Sequence, residues 1–137
     1  MRSDMLEFDY EPIQGQRLVK ALGAEPLLCD DDTIAFDEVQ LVLSSCSLRF
    51  SVDIDTDEIV CDLLSQNGIL REENKKWVKI KSLEKFLGSE IGWLWLSRSW
   101  LGYVDTAMLS FAGIEPNVIM MGMASKINIY GVTKILR

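Results

Sequence analysis

The sequence predicts an α+β chain that is mainly antiparallel β, with consecutive hairpins forming a curved sheet or small open barrel and one short helix. Three observations predict it. Apolar and polar residues alternate strictly in Leu48-Arg49-Phe50-Ser51-Val52-Asp53-Ile54-Asp55, the period of a strand with one wet face. Short apolar runs return between turn residues such as Gly113, Pro116 and Asn117. Only Ser82-Leu83-Glu84-Lys85-Phe86-Leu87-Gly88 carries a helix start and stop, with Ser82 as cap and Gly88 as end.

Glu11-Pro12 and Gly15 bound a first element near Arg17–Leu22, which the residues leave open between strand and helical turn. Glu25-Pro26 and Asp30-Asp31-Asp32 mark a loop. The clearest hairpin follows. Glu38–Leu43 and Leu48–Asp55 flank the turn Ser44-Ser45-Cys46-Ser47, and pairing Leu43 with Leu48 keeps both apolar rows on one side. This predicts buried Leu41, Leu43, Leu48, Phe50 and Val52, and exposed Arg49, Ser51 and Asp53. Residues 57–81 are harder to read. Ile59–Leu64 is strand or helical turn, Asn67-Gly68 is a turn, and Arg71–Lys81 is charged around Trp77, Val78 and Ile80. A second hairpin joins Trp93–Arg98 to Tyr103–Phe111 through Ser99–Gly102. Val118–Met123 and Ile127–Leu136 close the fold.

A length of 137 residues is that of one domain, 1–137, with a loose start at 1–4. Hydrophobic residues make up 48%, which excludes a disordered chain. Acidic residues interrupt every apolar pair near the N-terminus, so no signal peptide is read, and no run reaches the about 18 apolar residues of a membrane span. An odd set of three cysteines, Cys29, Cys46 and Cys61, fits reduced thiols and a cytoplasmic location. The net charge of −7 is uneven: residues 1–62 hold 15 acids and 4 bases, and residues 63–137 hold 6 acids and 10 bases. This disfavours nucleic acid as the main ligand, because phosphate neutralisation dominates that affinity. It permits steering toward a basic protein partner.

Gly92-Trp93-Leu94-Trp95, Leu101-Gly102-Tyr103-Val104-Asp105, Phe111 and Ala124-Ser125-Lys126-Ile127-Asn128-Ile129-Tyr130-Gly131-Val132 resemble an uncharacterised family of small bacterial domains of unknown function. Asp55-Thr56-Asp57-Glu58-Ile59 fits the same pattern. The resemblance spans residues 15–135 and implies a bacterial single domain. It carries no activity to transfer, and residues 65–82 lie outside it.

The chemistry-bearing residues are sparse. Without histidine there is no His-based triad, base or metal ligand. Nucleotide-binding glycine loops and the nucleophile elbow are missing too. Asp53, Asp55, Asp57 and Glu58 open like a calcium loop, but Glu58 stands where glycine is needed and Leu64 where a bidentate Glu belongs. A solvated strand face is the simpler account. Lys75, Lys76, Lys79, Lys81, Lys85 and Arg71 surround Trp77, as single-stranded nucleic acid would require. Glu72, Glu73 and Glu84 dilute them, and an edge protected by lysines explains them better. Met108, Met120, Met121 and Met123 read as adaptable core filling. No cofactor or metal is expected.

The function read from these residues is a non-enzymatic protein-interaction domain, in one version an immunity-type protein that masks a basic toxin. The rival readings are a small carboxylate-based enzyme, using Asp105 with Glu90 or Asp57, and a structural subunit of a larger assembly. In the second hairpin, Arg98 opposite Tyr103 puts Leu96 across from Asp105, so Arg98 and Asp105 lie one diagonal step apart and are expected to pair. The other face carries Trp93, Trp95, Val104 and Met108. It is either covered by the helix at residues 83–87 or open as an interface for a protein partner or a second copy.

Overall fold

The computed structural model describes residues 12–25, 35–64, 76–98, 104–111, 113, 116–123 and 126–132. The loose start at 1–4, the Asp30–Asp32 loop, the Asn67-Gly68 turn and the Ser99–Gly102 turn lie outside the described residues. Among the described residues ten strands follow in chain order. They are β1 (Leu18–Glu25), β2 (Ala35–Phe36), β3 (Glu38–Leu43), β4 (Ser47–Val52), β5 (Ile59–Leu64), β6 (Lys76–Lys79), β7 (Ile91–Arg98), β8 (Val104–Phe111), β9 (Val118–Met123) and β10 (Lys126–Gly131). A 3-10 helix, Lys81–Phe86, separates β6 from β7.

Antiparallel β is therefore right, but the curved sheet or open barrel is not. The strands form two five-stranded sheets, ordered β5-β4-β3-β1-β6 and β2-β10-β9-β8-β7. The reason lies at Asp37. Phe36 pairs with Ile127 in the second sheet, while the next residue, Glu38, pairs with Ala24 and Ser51 in the first. One residue moves the chain between layers, so the run of hairpins does not continue around one surface. Asp37 N–H donates to the Ala24 carbonyl at 2.9 Å, and Lys126 Nζ meets Asp37 Oδ1 at 2.5 Å, which ties both sheets to the crossover.

The inner faces follow the period of two. Leu41, Leu43, Leu48 and Phe50 are buried from the first sheet, and Leu94, Ala107, Leu109, Val118, Met120 and Ile127 from the second. They share one apolar cluster. Two registers differ from expectation by two residues. Leu43 N–H bonds the Cys46 carbonyl at 2.8 Å, so the turn closes on Leu43 and Leu48 pairs with Leu41 instead. Leu96 pairs with Ala107, not Asp105. A shift of two keeps every side chain on its face, which is why the burial pattern survives the error. Val52, expected inside, is half-buried and packs against the core, and Arg49 and Ser51 are half-buried too. Ile54 leaves the strand: Asp53 accepts from Asp55 N–H through its side chain at 2.8 Å, and the resulting turn leaves Ile54 81% exposed.

The helix also differs from its reading. Ser82 caps nothing, because no side chain caps this helix and Ile80 precedes its first turn. Ile80 N–H extends the β1–β6 ladder by bonding the Ala21 carbonyl at 3.0 Å, and its own carbonyl accepts from Leu83 at 3.1 Å. The strand thus runs straight into the helix. Gly88 does end it, with φ of +85°. Both undecided segments, Arg17–Leu22 and Ile59–Leu64, are essentially strand, and part of the charged stretch is β6.

Candidate interaction surface

Alternate residues of the second sheet point away from the core. The register places Trp95 across from Met108, Met108 across from Ile119, and Ile119 across from Tyr130. These four form one row across four strands on the outward face. Trp95, Met108 and Ile119 are half-buried and Tyr130 is exposed. Trp93 lies two residues before Trp95 and stacks on it, with ring centroids 6.3 Å apart and planes 19° off parallel. The sequence expectation puts Trp93, Trp95 and Met108 on one face by the period of two, and the observed register sets Trp95, rather than Trp93, across from Met108. Ile119 and Tyr130 were missed because their membership needs the order of β9 and β10.

The helix does not cover this row. Its Leu83 is buried in the core, and Phe86 stacks at 4.7 Å on Phe111, an inner-face residue of β8. The Val104 side chain lies outside the described residues.

An open groove of about 640 Å³ adjoins Trp93. It lies where the chain entering β1 runs beside the start of β7, with Ile91 N–H bonded to the Gln16 carbonyl at 2.9 Å and Leu18 N–H to the Ser89 carbonyl at 3.0 Å. Gly15, Gly88, Gly92 and Gly113 contribute bare backbone to its wall. Gly92 is required there, since a Cβ would stand 2.0 Å from the Gly113 carbonyl oxygen. Buried Ser110 fixes this wall: its hydroxyl accepts from Trp93 N–H at 2.8 Å and donates to the Gly113 carbonyl at 2.7 Å. The charged lining is Arg17, which donates to the Gly88 carbonyl at 2.7 Å, and Glu90, 3.4 Å from Arg17.

The chain belongs to a family of unknown function, DUF6334. The family matches residues 1–136, nearly the whole chain, and the resemblance read from the tryptophan and tyrosine motifs points the same way. No characterised protein and no solved structure matches it.

The carboxylates named in the sequence do not gather in the groove. Glu90 precedes β7, beside the Phe111 end of β8, whereas Asp105 lies at the other end of β8. An eight-residue strand separates them by roughly 20 Å. Asp57 belongs to the β4–β5 turn, with φ of +59°, and its carbonyl lies against Gly122. Asp105 is half-buried and accepts from Thr106 Oγ1 at 3.1 Å. The Arg98 side chain lies outside the described residues, and the backbone places Arg98 across from Val104. Among the described residues no three Cys, Asp or Glu side chains are grouped to hold a metal ion, and no helix is long and apolar enough to cross a membrane. Cys61 faces Phe50 across β4–β5, and burial pushes its thiol pKa far up, with Asp62 adding to the shift. Burial also raises Cys46, partly offset by a hydrogen bond with Gln16.

Proposed function

We propose that the protein is a non-enzymatic protein-interaction domain that binds through the outward face of its second sheet. The observation that carries this reading is the row Trp95–Met108–Ile119–Tyr130. The core is supplied by the opposite face, so this row is not needed to hold the sheets together. Trp, Tyr and Met are the residues enriched where proteins meet, since they offer large contact area at low entropic cost. The adjoining groove, with its backbone walls and the Arg17–Glu90 pair, extends the surface past Trp93. The wide separation of Glu90 from Asp105 weighs against a carboxylate enzyme built on that pair. A reducing bacterial cytoplasm suits the three cysteines and the family resemblance. Masking of a basic toxin is one form of this binding role; a structural subunit of a larger assembly is the rival reading.

The test compares wild type with Trp95→Ala, both checked for an intact fold by circular dichroism. Sedimentation reads self-association, and capture from a native host reads other partners. Loss of a dimer or of a specific captured protein in the variant supports the reading. An unchanged association pattern in a folded variant overturns it.

A further inference from the structure

We propose a second, independent docking site for an acidic peptide segment at the β1–β6 corner of the first sheet. A dent of about 70 Å³ opens there between Lys20, Ala21, Lys79, Ile80, Glu84 and Leu87. Its floor is apolar: Ala21 and Ile80 are buried, and Leu87 stands 45% exposed beside them. Its rim is basic. Lys20 follows an irregularity in β1, and Lys79 ends β6, one position before Ile80 bonds the Ala21 carbonyl. The volume is that of a small aliphatic side chain.

The charge of this corner opposes that of the chain. Lys20 and Lys79 line the dent together with Glu84, whose helix also carries Lys81 and Lys85, and all four lysines are exposed. Among the described residues the ion pairs are Arg17–Glu90, Arg49–Glu38 and Lys126–Asp37, none of which uses these four lysines. Lys85 instead sits 5.3 Å from the Phe86 ring centre. A protein of net charge −7 thus sets two lysines against one glutamate on the rim of an apolar dent. The complementary ligand carries one aliphatic side chain for the floor and carboxylates on both sides for the rim. A polyphosphate satisfies the rim alone and leaves the floor empty. The inference does not depend on the aromatic row of the second sheet.

The experiment titrates the full chain into a dye-labelled peptide with one leucine flanked by three glutamates on each side. Saturable binding is expected. It weakens about tenfold or more in the double variant Lys20→Glu/Lys79→Glu, because rim charges govern such encounters, and it weakens with added salt. Replacing the leucine by glycine in the peptide weakens it about fivefold or more, the effect of an emptied apolar floor. Both lysines are exposed, and circular dichroism confirms that the variant folds. Absence of saturable binding, equal binding by the double variant, or equal binding of the glycine peptide overturns the proposal. Tighter binding of a single-stranded oligonucleotide than of the leucine peptide also overturns it.

Discussion

Gly23 lies directly beneath the ring of Phe36: a Cβ at position 23 would stand 2.4 Å from Phe36 Cδ1. Phe36 belongs to β2 in the second sheet and Gly23 to β1 in the first, so this contact seats one layer on the other. Gly23→Ala is expected to destabilise by about 1–3 kcal/mol through overpacking, read as a lower denaturant midpoint. Pairing it with Phe36→Leu should return part of the loss. An unchanged midpoint in the single variant would show that the ring can move aside freely.

Phe50 is fully buried, with Val39 and Cys61 as its cross-strand neighbours. Phe50→Ala should cost about 3–5 kcal/mol, the range for removing a buried ring. Ser51→Ala, on the opposite face of the same strand, should change stability by less than about 0.5 kcal/mol. Urea unfolding of both variants checks the contrast, and equal losses would contradict the face assignment.

Arg49 binds Glu38 through both Nε and a terminal guanidinium nitrogen on the other face of the first sheet, and the Glu38 carboxylate is nearly buried. Arg49→Ala should therefore destabilise by about 1–3 kcal/mol, since a buried acceptor loses a charged partner. In the double variant Arg49→Ala/Glu38→Gln the losses should be less than additive. Strict additivity in the cycle would mean that the two groups do not interact in solution.

Burial of Cys61 and Cys46 gives a pH dependence with a definite sign. Both thiols have folded-state pKa values raised above the ordinary 9.0, so above that pH the unfolded chain releases protons that the folded chain keeps. Stability contributed by this difference is present below pH 9.0 and declines as pH rises beyond it. In a Cys29→Ser background, both thiols should react slowly with a disulfide reagent at pH 8 and quickly after denaturation. Fast reaction of the native protein would be the contrary result.

What could be read from the sequence was whatever depends on local period. The alternation at Leu48–Val52 assigned faces correctly, and the Trp93, Trp95 and Met108 grouping rests on the same period of two. Register was not readable, because pairing Leu48 with Leu41 or with Leu43 leaves the same residues inside. Layer membership was hidden for another reason. Nothing in Ala35-Phe36-Asp37-Glu38 signals that neighbours in sequence belong to different sheets, since that depends on a strand near the other end of the chain. Likewise the Lys20–Lys79 corner joins two segments that look unrelated until β1 and β6 pair.

The single-residue crossover at Asp37 has a consequence for the order of assembly. The first sheet gathers strands from residues 18–79 alone, so its pairings close early. Strand β2 must wait, because its only described partner is β10, and Phe36 and Ile127 lie roughly ninety residues apart in sequence. A chain leaving the ribosome would carry a finished first layer beside an unpaired Ala35-Phe36 stub until Ile127 arrives. Until β7, β8 and β9 emerge in turn, its hydrophobic face is shielded by nothing of its own second layer. This makes the half-made chain, more than the mature fold, the state that a chaperone would meet.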